Sequence, residues 1–184
     1  MGGEEPTTAG LTPDDLEYIA RLRKSNRGKK LIAAYILVVL AMRRLPVDVT
    51  KQRAETLLRA PTTVLAGALA AYVSRQMRSK PSDKRAIVPA LLAALARYTV
   101  EAQALLPDDR IAHIGLIAQA ELQNATARVS RQVAGTRTIT REVHTDRPCE
   151  RCWSLVGTYE QPWPDDVFYC HPRCCCSWSI KEVA

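Results

Sequence analysis

All six cysteines of this chain lie between Cys149 and Cys176, and the 148 residues before them contain none. So uneven a distribution restricts the possible folds more than any average of composition does. Thiols used as small core side chains would be spread through the apolar positions of every element. Six thiols within 28 residues would suit a disulfide-knotted secreted module. The long cysteine-free stretch and the acidic opening "MGGEEPTTAGLTPDD", which has no apolar signal core, argue against an oxidising compartment.

A metal site accounts for the pattern directly. Cys149 and Cys152 form a C-x2-C knuckle, a spacing that turns two thiolates toward one point. Cys170, His171, Cys174, Cys175 and Cys176 follow after 17 intervening residues, within the range zinc ribbons use between half-sites. Thiolate and imidazole donors at the corners of a tetrahedron suit Zn2+. The expected ligands are Cys149, Cys152, His171 and Cys174. Cys176 is an alternate to His171, because it would point the same way as Cys174 in an extended segment. Cys170 and Cys175 are then surplus. The zinc is expected to be structural: a module this small buries little apolar surface, and apparent metal-binding energies of ~10 kcal/mol or more substitute for the missing core. Trp153, Trp163 and Trp178 are expected to pack around the site or dock it on the preceding helix.

Ahead of the cysteines the chain is rich in Ala and Leu and patterned for helices. Thr12 is placed to cap a first helix, with Pro13, Asp14 and Asp15 in its first turn. It is expected to continue past a kink or break at Asn26 and Gly28, through "LIAAYILVVLAM", to Leu45, where Pro46 stops it. Those twelve apolar residues would rise about 18 Å as a helix, short of the roughly 30 Å hydrocarbon layer of a bilayer. A buried core helix is expected there, and no membrane. A second segment opens at "VDVTKQRAETLLRA", with an interruption expected at Pro61 before "VLAGALAAYVSRQMRS". "KPSDKRA" reads as a basic turn, and the next helix, Ala86 to Leu106, accommodates Pro89 near its start.

The cleanest helix is "PDDRIAHIGLIAQAELQNATARVSRQVAG". Pro107, Asp108 and Asp109 start it, Gly135 ends it, and Ile111, Ile114, Ala118, Leu122, Ala125, Val129 and Val133 recur at spacings of three and four. His113 lies off that stripe and is expected in solvent. After Gly135 the period changes to two: "TRTITREVHT", "SLVGTYE", "DVFYC" and "CSWSI" are candidate short strands. The expected class is α+β, a mostly helical body followed by a small β-rich, Cys-rich module. The expected divisions are a flexible N-terminus over 1–10, a helical body over 11–106, and the long helix with the Cys-rich module over 107–184.

The formal charge of +7 is unevenly placed. Residues 1–20 carry five acids and no bases, whereas residues 21–100 carry 17 Lys and Arg against three acids. A body so cationic attracts phosphate polymers, acidic protein faces or anionic lipid without choosing among them. Lys24, Arg27, Lys29, Lys30, Arg43 and Arg44 are the candidate contacts to nucleic acid or a protein partner.

The order of "AELQNATARVSRQVAG", "TRTITREVHTDRPCERCWSLVGTYE" and "HPRCCC" resembles the C-terminal domain of the Mu-F-like minor head proteins of tailed phages, the head-morphogenesis family. The shared features are Glu121 and Asn124 on the helix, then Asp146, Cys149, Cys152, Leu155 with Gly157, and His171, Pro172, Cys174 and Cys176. The resemblance covers about residues 108–180. It departs at Cys175, where the family usually has Arg, and at Val156, which separates Leu155 from Gly157; the chain is also short for the family. The resemblance implies a minor capsid protein in the virion, at the capsid interior or portal vertex, and in the host cytoplasm during assembly. Portal or major capsid protein and packaged DNA would be its partners. It implies no enzyme and no small-molecule substrate. The alternative is a zinc-ribbon protein that uses its basic helices on nucleic acid, although no helix stands out as base-reading. An enzyme ranks last, because no acid, base and oxyanion donors accompany the thiols.

Overall fold

The computed structural model describes residues 9–25, 27–79, 83–144, 149–164, 166–171 and 176–180. Its class is α+β: five helices pack first, and a small antiparallel sheet follows. Helix α1 (Pro13–Lys24) begins in a capping box, where Thr12 accepts from Asp15 N and the Asp15 carboxylate accepts from Thr12 N. The chain breaks after Ser25. Gly28 takes φ +78, a conformation that side chains with a Cβ rarely adopt, and α2 (Lys29–Arg43) starts there. The apolar run lies in α2 and is buried along most of its length, as a core helix requires.

Helix α3 (Lys51–Gln76) runs straight through Pro61, where an interruption was expected. Ala54, Leu58, Leu65, Leu69 and Val73 form one buried stripe across the proline, and packing that stripe outweighs the lost hydrogen bond. Leu57, whose carbonyl loses its intrahelical donor, is exposed and open to water. Among the described residues α3 is the one helix long and apolar enough to cross a membrane, a test that a core helix also passes. Helix α4 (Lys84–Ala102) is capped by Asp83 and carries Pro89 within its second turn.

Helix α5 (Pro107–Ala134) has the expected boundaries, with Asp108 and Asp109 in its first turn and Gly135 beyond its end. His113 is exposed, and Ile111 at the stripe's upper end is largely so. From Ile114 to Ser130 burial extends well beyond one stripe, because α1 to α4 and the sheet all pack against this helix. α5 therefore belongs to the helical body as much as to the module after it, and one continuous core runs from Tyr18 to Trp178. Close approach is tightest at Gly115: a Cβ there would stand 2.7 Å from Asp15 Oδ1.

Strand β1 (Ile139–Val143) lies at the centre of the sheet, flanked by β2 (Gly157–Tyr159) and β3 (Cys176–Ile180), all antiparallel. "DVFYC" forms turns and not a strand. A short helix, α6 (Glu150–Ser154), occupies the knuckle and was not expected.

Two of the candidate contact cations are inside. Arg27 is 0% exposed. Its Nη2 donates to Gln123 Oε1 at 3.1 Å and to the Cys176 carbonyl at 2.6 Å, and its guanidinium lies over the Tyr72 ring. Gln123 in turn donates to Tyr18 Oη at 2.8 Å. Arg43 pairs with buried Asp15 at 2.7 Å and donates to the carbonyls of Gly10 and Ile111. Neither presents its charge to a polyanion. Replacing Arg27 by Met should lower unfolding free energy by about 2 kcal/mol or more, since a charged hydrogen-bond donor is lost and Gln123 is left short of a partner. Lys30→Ala on the exposed surface should stay within about 0.5 kcal/mol. Urea denaturation followed by circular dichroism measures both.

Candidate metal centre

The knuckle is built by the start of α6. Cys149 is its N-cap residue, and its Sγ accepts a hydrogen bond from Cys152 N at 3.2 Å. This closes the turn and brings the two sulfurs to one side. His171 approaches from the loop leading toward β3. Its Nε2 lies 3.1 Å from Cys149 Sγ and 3.1 Å from Cys152 Sγ. All three donor atoms fall within 4.8 Å of one another. A tetrahedral zinc bound to thiolate and imidazole separates neighbouring donors by about 3.5 Å, from bond lengths of about 2.3 and 2.0 Å. The described cluster is that size and has the donor chemistry of that site, so it can hold a metal ion. Cys149 is exposed, Cys152 is buried and His171 lies between, which places the cluster at the protein's edge.

Of the expected quartet, Cys149, Cys152 and His171 come together. Cys174 lies outside the described residues, as do Asp146, Pro172 and Cys175. Cys176, the alternate ligand, is not part of the described cluster. It is buried at the first position of β3, paired with Val143, and its Sγ lies 3.3 Å from Arg141 Nη2. Cys170 is not in the cluster either; its Sγ lies 3.4 Å from Asn124 Oδ1, tying the loop before His171 to α5. Asn124 also donates to Glu121.

The residue that sequence reasoning missed is Arg141. Fully buried in the central strand, it donates from Nη1 to the Val167 carbonyl at 2.8 Å, while Nη2 lies 3.8 Å from Cys152 Sγ as well as beside Cys176 Sγ. Its guanidinium also lies against the Trp178 ring, and Trp178 Nε1 donates to the same Val167 carbonyl. A signal was present: Arg141 shares a strand face with Ile139 and Val143, the face that packs inward. A cation at that depth beside Cys152 Sγ would offset the negative charge that a thiolate retains when it binds a metal.

The tryptophans divide. Trp178 is in the core beneath the cluster and stacks on Phe168, and Trp163 meets Phe168 edge to face. Trp153 is 66% exposed and does not pack around the site. His144 is not a member of the cluster: its Nε2 lies 2.6 Å from Ser177 Oγ, and burial is the main reason its pKa falls below the usual histidine value.

Compared with family models, curated proteins and solved structures, the chain matches none. The centre therefore rests on its own geometry. Saturating the chain with a divalent transition metal should suppress labelling of exposed Cys149 by a maleimide, and a chelator should restore it. Mass spectrometry of the labelled peptides reads both states. Equal labelling with and without metal would remove Cys149 from the ligand set.

Proposed function

We propose that this chain is a minor head protein of a tailed phage, a structural component that acts at the portal or inner capsid during head assembly and DNA packaging. Zn2+ staples its C-terminal segment. The observation that carries this reading is the convergence of Cys149, Cys152 and His171 in a module that runs from a long helix into a strand, a C-x2-C turn, a glycine-led strand and a closing strand. That order underlies the resemblance to the head-morphogenesis proteins. With Cys174 as fourth ligand the coordination is closed, which suits a structural ion and leaves no open position for substrate.

When bound, the ion supplies cross-linking between the α6 turn and the loop before β3. The chain's own residues do the rest: Arg141 holds the buried side of the knuckle, and Arg27 fixes the start of β3 to the helices. An assembly protein needs a tail whose shape persists through particle maturation, and a metal cross-link provides that persistence without a large core.

Elemental analysis of the purified chain should find one zinc per molecule. Chelation should abolish the near-ultraviolet dichroism of Trp178 while leaving the helical far-ultraviolet signal. Gradient-purified heads should contain the chain in a few copies each by mass spectrometry. Absence from every head fraction would overturn the assembly reading, whereas a chain that folds fully without zinc would overturn the staple.

A further inference from the structure

A groove of about 860 Å3 runs along the helical body between α2 and α3 and reaches the start of α4. Its floor is apolar. Val64, Ala68 and Ala71 follow at helical spacing on α3 and lead to Arg75 at the rim, a span of twelve residues or about 16 Å. Leu37 of α2 and Val64 of α3 stand on either side of the groove and are 48% and 53% exposed. Between them Gly67 and the alanines keep the floor low enough for another backbone to approach closely.

The rim is cationic. Lys29, Lys30, Arg75 and Lys84 line the groove, and among the described residues no acidic side chain does. All four are exposed, and none forms an ion pair among the described residues. Asp83, next in sequence to Lys84, is engaged in capping α4 through Arg85 N. The placement of the two α2 lysines adds an independent observation. They occupy the first turn of a helix that has no acid there and no side-chain cap, so two positive charges sit at the positive end of the helix dipole. That arrangement disfavours the isolated chain and is relieved by an anion from outside.

We propose that this groove binds an acidic amphipathic helix of a partner protein. Such a helix lays its apolar face on the floor between Leu37 and Val64, in register with about three turns of α3. Its carboxylates meet Lys29, Lys30, Arg75 and Lys84, and those nearest α2 complement its N-terminus. A nucleic acid would satisfy the rim and leave the floor uncovered. The proposal names the chemistry of one partner for the assembly role, yet it depends on neither the metal nor the particle.

The test uses the full metal-loaded chain and a fluorescent peptide of about 18 residues, built from Glu and Leu with leucines at i, i+3, i+4 and i+7, beside a scrambled peptide of the same composition. The helical peptide should bind about tenfold more tightly or better than the scrambled one. Lys30→Glu with Lys84→Glu should weaken it about tenfold, and Ala71→Trp, which fills the exposed floor, should do likewise, with unchanged circular dichroism confirming the fold in each variant. Equal binding of the two peptides would overturn the proposal. So would affinity for a short DNA duplex that exceeds affinity for the peptide and is lost in the charge variants but kept in Ala71→Trp, since the rim alone would then be the site. Loss of peptide binding leaves zinc content untouched, so failure here is distinct from failure of the metal staple.

Discussion

A single buried guanidinium joins the two halves of this protein. Arg27 sits at the break between the first two helices, where the Tyr72 ring, Gln123 and the Cys176 carbonyl reach it from α3, α5 and β3. Removing a cation from water costs several kcal/mol unless polar groups replace the lost hydration. Here the replacements come from three separate elements, so the cation is tolerated only when all three are in place. The contact to Cys176 spans 149 residues of sequence and fixes where β3 begins. The sheet's register then determines the position of everything opposite it, including Arg141 across from Trp178.

Arg141 repeats the device one layer further out. It binds the Val167 carbonyl and stands beside the sulfurs of Cys152 and Cys176, so the loop that delivers His171 is held from beneath by the central strand. The two arginines meet at one residue, Cys176, whose carbonyl accepts from Arg27 and whose sulfur faces Arg141. The cluster of Cys149, Cys152 and His171 therefore rests on a platform attached directly to the helical core. The knuckle itself needs little more than the α6 turn, because the Cys149 sulfur caps the same helix whose first turn carries Cys152. Cys149 here caps the helix with the same sulfur that it presents to the cluster.

Much of this was legible in the sequence wherever one local signal sufficed. Pro107 with two aspartates and Gly135 delimit α5 because caps and dipoles act within a turn. The C-x2-C spacing and the period-two stretch at 139–143 gave the knuckle and the central strand for the same reason. The misses occurred where distant packing decided the outcome. A buried stripe carried α3 through Pro61, which local rules read as a stop. Arg27 and Arg43 were counted with the surface cations because nothing near them in sequence announces Gln123 or Asp15 as their partners. Arg141 was different: its place between Ile139 and Val143 on one strand face was visible in the period-two pattern.

Those internal cations change the meaning of the charge asymmetry. The acids near the start of the chain and the bases after them pointed to a cationic body. In the folded chain Asp15 is buried against Arg43, and Arg27 is consumed by the core, so part of the contrast holds helices together and projects no field. Most of the other bases over 21–100 still reach solvent, and four of them, Lys29, Lys30, Arg75 and Lys84, stand around one apolar floor. A diffuse positive surface binds polyanions through counterion release and tolerates many arrangements of phosphate. A cationic rim around exposed aliphatic side chains is more selective, because favourable contact requires apolar groups and carboxylates on the same face of the partner.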